Sequence, residues 1–172
     1  MKRGITMIVL IIFCFLLQTT LLQTFSIASV SPNLPVILTV SFALMRGKRE
    51  GMFTGVLFGI LMDVFYGQVL GFHILLLTIM GYLNGYCYRI FYDDDIKMPV
   101  LLIGVSDFLY ELIVYLFQFL LRGRINLFFY IRRIIIPEVI YTVLITLVVY
   151  RLLLALNHKL EKAEQRSVGS FV

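Results

Sequence analysis

Long apolar runs alternate along the chain with short polar punctuation, and the runs are too uniform for the interior of a water-soluble domain. Six stand out, at about 5–22, 34–45, 52–65, 72–90, 99–121 and 134–156. The first, fourth, fifth and sixth have the length a bilayer crossing requires, roughly 20 residues. The second and third are short. Reading them as one re-entrant hairpin would strand Arg46, Lys48 and Arg49 at the bilayer centre, at about 2.5–3.5 kcal/mol or more for each charge. Their turn must instead reach water, so both short segments cross, packed among longer neighbours or in locally thinned bilayer. The alternation of a transmembrane β-strand is missing from these runs. The expected fold is an all-α polytopic membrane protein, a single six-transmembrane-helix bundle over 1–156 with two short central helices. Residues 157–172 are expected to form a short cytoplasmic tail, helical at first and fraying.

Basic residues set the orientation. Lys2, Arg3, Arg46, Lys48, Arg49, Arg89, Lys97, Lys159, Lys162 and Arg166 fall on the side of the N-terminus, against Arg122, Arg124, Arg132 and Arg133 on the other. Ten against four places both termini in the cytoplasm. Lys2 and Arg3 before an apolar run, with Ser26-Ile27-Ala28 beyond it, resemble a signal peptide. The run exceeds the usual length of such a peptide's apolar region, which favours an uncleaved first helix.

Composition agrees with this picture. The 172 residues are 60% hydrophobic, with a mean hydropathy of +0.96, which leaves no room for a soluble domain beyond loops and a tail. The net charge of +5 comes from helix ends and does not call for nucleic acid. Cys14 and Cys87 have neither metal nor redox spacing and read as small core hydrophobes.

The polar residues inside the runs carry the functional candidates. Gly51, Gly55, Gly59 and Asp63 recur every four residues, so they share roughly one face of the third helix. Small residues at that spacing let helices meet backbone to backbone in lipid, and a carboxylate on the same face should point at protein. Asp63 either anchors a neighbouring helix or partner through hydrogen bonds, or pairs locally, for instance with Tyr66. Gly81 and Gly85, beside Asn84, form a second glycine pair in the fourth span. The fifth span carries a polar stripe of Gly104, Asp107, Glu111, Tyr115 and Gln118. Two carboxylates one turn apart in a low dielectric resist joint ionisation, so one should be protonated or paired. The stripe suits an internal polar seam or a partner face better than a transport relay, since no second acidic helix repeats it. Glu138, next to Pro137, is expected to form an interfacial ion pair with Arg132 and Arg133. Thr142 and Thr146 continue its face. No catalytic residue, metal site or cofactor is expected: His73 and His158 lack partners at ligand spacing, and no nucleophile elbow or phosphate-binding glycine loop is present.

These features together resemble the MreD family of rod-shape membrane proteins. The resemblance lies in the Ser31-Pro32-Asn33-Leu34 entry to the second span and the basic turn Arg46-Gly47-Lys48-Arg49-Glu50-Gly51. It continues through Gly55, Gly59, Asp63 and the Gly67/Gly71 turn to Glu111 and to Pro137 with Tyr141, and it departs at Thr142, where the family often has Asn. It implies a non-enzymatic scaffold of the bacterial inner membrane that binds MreC. Through MreC it would help couple cytoplasmic MreB filaments to peptidoglycan synthesis by RodA and its partner transpeptidase. It also implies a bundle similar to the substrate-binding subunits of energy-coupling-factor vitamin transporters, which gives the alternative function, a small-molecule transport subunit. In a third reading, the outer arginines hold an anionic lipid or wall precursor.

Overall fold

A computed structural model describes residues 2–24, 31–67, 69–89, 96–120 and 127–168. Among these residues every regular element is helical. The order is α1 (Lys2–Thr24), α2 (Leu34–Arg46), α3 (Lys48–Phe65), α4 (Phe72–Tyr86), α5 (Lys97–Leu120), α6 (Leu127–Tyr130) and α7 (Ile136–Val168). A 3₁₀ turn, Cys87–Arg89, tightens the end of α4, and a π-helical turn, Ile131–Ile135, joins α6 to α7.

The shortest long element, α2, is the axis of the bundle. Every residue from Leu34 to Met45 is buried, and α1, α3, α4, α5 and α7 all pack against it. A helix that is apolar all round can only be stable when enclosed on all sides, as α2 is. At about 1.5 Å per residue its 13 residues span roughly 20 Å, short of the bilayer core but shielded by longer neighbours. Ile37, Leu38, Ile11, Phe58, Leu77 and Ile103 form the most deeply buried part of the core.

The turn between α2 and α3 is a single residue. Gly47 sits at φ +89, a backbone region that side chains rarely tolerate, and Lys48 already begins the next helix. The basic residues Lys48 and Arg49 are thus the first turn of α3, four residues ahead of the apolar run that marks this span in the sequence.

Two boundaries differ more widely from the hydrophobic pattern. Helix α7 runs past the apolar segment to Val168, so the helix expected after residue 156 continues the last span without a break. Its last turns are rich in Lys, Glu, Leu and Ala and contain neither Gly nor Pro, so nothing local ends it. At its other end, helical backbone already begins at Leu127. Pro137 cannot donate to the carbonyl of Arg133, and the π turn widens the helix just there.

The outer surface is apolar. Val9 and Phe13 on α1, Leu101 and Val105 on α5, and Leu144 and Val148 on α7 are all exposed. Such continuous apolar cover is a liability in water and an ordinary wall in lipid. Lys97–Phe117 and Ile131–His158 are long and apolar enough to cross a membrane, and Thr6–Thr20, Leu34–Arg46 and Phe72–Tyr86 are shorter apolar helices.

Candidate functional site

The glycines of α3 are taken up by α4. A Cβ on Gly55 would stand 2.5 Å from the carbonyl oxygen of Leu77, and one on Gly59 would overlap the main chain of Ile74. Gly51 and Gly81 face each other: a Cβ on Gly51 would lie 2.8 Å from the Gly81 oxygen and 2.5 Å from the Ala43 Cβ. Gly85 lies against the backbone of Lys48. Main chain therefore touches main chain along most of the α3–α4 contact, a separation that only residues without side chains permit. At the N-terminal end of α3, the Lys48 ammonium sits 4.7 Å from the Tyr86 ring centre, while Arg49 is exposed.

Asp63 closes the opposite end of this seam. Its side chain is almost fully buried, and its two oxygens accept backbone N–H groups from Gly71 at 2.9 Å, His73 at 3.0 Å and Ile74 at 3.2 Å. These are the otherwise unpaired donors of the first turn of α4, where the helix dipole also favours a negative charge. Gly71, at φ +97, gives the chain the left-handed turn that aims those donors at Asp63. The His73 ring lies beside the carboxylate, with 3.9 Å between Nδ1 and Oδ1. Asp63 is thus a helix cap supplied by a neighbouring helix.

A second polar group joins four helices at the same end. The Asn33 amide nitrogen of the backbone donates to Thr142 Oγ1 at 3.2 Å, and its side-chain Nδ2 donates to Glu111 Oε1 at 3.3 Å. Asn33 stands at the N-cap of α2, yet its side chain makes no capping bond and reaches across to α5 instead. Gln18 of α1 accepts from the Leu34 N–H at 3.2 Å. Asp107, wholly buried, has Asn33 and Thr142 as its polar neighbours, and neither of its oxygens makes a hydrogen bond of ordinary geometry. Thr146 Oγ1 donates to the Thr142 carbonyl at 2.6 Å. A cavity of about 280 Å³ opens beside the group, lined among others by Gln18, Asn33, His73, Tyr110, Glu111 and Glu138. Among the described residues no set of three acids, histidines or cysteines is arranged to hold a metal ion.

Glu138 corrects an expectation. Arg132 and Arg133 are exposed and do not pair with it, and Arg133 lies over the Phe129 ring at 5.4 Å. Glu138 instead lines the cavity, with Glu111 and Asp107 as its electrostatic neighbours. Residues five and six apart do not share a helix face. Of the other candidates on α5, Gly104 lies close to Val143, and Tyr115 stacks on Tyr130 with 4.1 Å between ring centres. The Gln118 side chain, Arg122 and Arg124 lie outside the described residues.

Several participants carry no obvious mark in the chain. Asn33, Gln18 and Asn157 look like loop or surface polars, but Asn157 Oδ1 accepts from Arg46 Nε at 2.5 Å and ties the C-terminal end of α2 to α7. Asn84 Nδ2 donates to Ser106 Oγ at 2.9 Å, linking α4 to α5. An isolated amide inside an apolar run is the signal that finds such residues, because its cost in lipid demands a partner.

No curated protein and no solved structure matches the chain. The family model of rod shape-determining protein MreD matches residues 1–160, from the first helix into the extended end of α7. With the helical, apolar-walled fold around it, this match shows that the chain belongs to the MreD family of rod shape-determining membrane proteins.

Proposed function

We propose that the chain is a non-enzymatic, multi-pass subunit of the bacterial cell-elongation machinery. It crosses the cytoplasmic membrane six times with both termini inside, binds MreC, and helps couple MreB filaments to peptidoglycan synthesis by RodA and its partner transpeptidase. The family match over residues 1–160 carries this reading. The way the polar residues are used supports it: Asp63 is taken up by capping α4, Asn33 and Thr142 by joining helices, and the glycines by helix contact. Residues tied up in this way position helices and are not free to turn over a substrate. The exposed apolar walls of the helices leave ample area for a partner's single membrane helix.

Co-expression with MreC and purification through a tag on either protein in mild detergent tests the proposal. Both proteins should elute together from size exclusion. A well-folded chain that never retains MreC would sink it. The alternative, a small-molecule transport subunit, rests on the 280 Å³ cavity, and a vitamin whose addition raises the melting temperature of the purified chain would favour it.

A further inference from the structure

A large groove lies away from the polar cluster, on the outer wall between α5 and α7. It has a volume of about 890 Å³ and is apolar along Leu101, Val105, Phe108 and Leu147, with Gly104 among its lining residues. The two helices run antiparallel, since Glu111 lies near Glu138 while Gly104 lies near Val143. Lys97, at the start of α5, and Arg151, late in α7, therefore come to the same end of the groove, and both are exposed. Among the described residues the lining holds no carboxylate.

Length distinguishes the possible occupants. From Lys97 to Phe108, and from Arg151 back to Val139, the groove runs eleven to twelve helical residues, about 17 Å. That is close to the hydrocarbon depth of one leaflet, about 15 Å, and half of what a transmembrane helix covers. The groove is thus one leaflet deep, oily along its length and cationic at its headgroup end.

We propose that this groove binds an anionic phospholipid, with an acyl chain along Leu101, Val105 and Phe108 and the phosphate held by Lys97 and Arg151. Basic pockets between membrane helices recognise anionic headgroups through the same combination of charge and depth. With both termini in the cytoplasm, the lipid belongs to the inner leaflet. The inference rests on the chain spanning a membrane but does not depend on its binding MreC.

The test uses the purified full chain in neutral detergent. Phosphatidylglycerol should raise the melting temperature more than phosphatidylcholine does. Exchanging both basic residues, Lys97→Gln with Arg151→Gln, should abolish that preference, at about fivefold in relative affinity for each charge removed. Arg49→Gln, an exposed cation outside the groove, should leave it intact. A photo-crosslinking side chain at Val105 should capture lipid in cells. Equal response to the two lipids, a preference that survives the double exchange, or capture of a protein helix at Val105 would each overturn the inference. If MreC still co-purifies while the lipid preference is absent, the lipid site alone is refuted.

Discussion

The carboxylate of Asp63 on α3 accepts the backbone N–H of His73 on α4 at 3.0 Å, and the same side chain also holds Gly71 and Ile74. One residue thereby fixes where α4 begins and sets the register of the glycine contact that follows it. Replacing it with Ala removes the acceptor of the buried His73 N–H, at about 1–3 kcal/mol, and of the part-buried Gly71 and Ile74 N–H groups, at less for each. Asp63→Ala should lower the melting temperature more than Asp63→Asn, which keeps one acceptor oxygen. Hydrogen exchange at Gly71, His73 and Ile74 should accelerate in the Ala variant and leave the centre of α2 protected.

Gly55 tests the seam itself. An added methyl would meet Leu77 carbonyl and Thr78 nitrogen, both main chain, so α4 must move. Gly55→Ala should destabilise by about 1–3 kcal/mol, and Gly55→Leu should prevent recovery of monodisperse protein. Gly4 has open space around its Cβ position, and Gly4→Ala should be neutral or stabilising by about 0.5–1 kcal/mol. Thermal unfolding in detergent compares them.

The C-terminal end of α2 is tied to α7 by Arg46 and Asn157. A double-mutant cycle with Arg46→Gln and Asn157→Ala should show a coupling of about 1.5–3 kcal/mol, the range for a hydrogen bond to a charged group. Additive effects would mean that the end of α2 and the late turns of α7 do not hold each other.

Arg132 and Arg133 should matter little to the fold. Both are exposed and unpaired with Glu138, so Arg132→Gln with Arg133→Gln should shift stability by less than about 0.5 kcal/mol. A large loss in thermal unfolding would restore the ion pair that their proximity in sequence suggests.

How far the chain could be read depends on the reach of each signal. Apolar runs report burial in lipid or protein, so the helical class was legible from them. They do not report where a helix ends when polar residues continue it, as Asn157 to Val168 do in α7. The four-residue spacing of Gly51, Gly55 and Gly59 shows that something must approach closely, but which helix does so is a tertiary fact: α4 occupies that face. Glu138 shows the same limit for charge. Its nearest arginines in sequence lie on another face of the helix, while Glu111, 27 residues away, is its neighbour in space. Asn33 has the sequence position of a helix cap, and only the fold shows its side chain turned to Glu111 instead.

The most direct test of the functional account is a titration of the purified chain with purified MreC, both in lipid nanodiscs. The account predicts saturable association, preserved in Arg132→Gln with Arg133→Gln. A chain that keeps its cooperative melting transition and yet shows no association at any MreC concentration would contradict it.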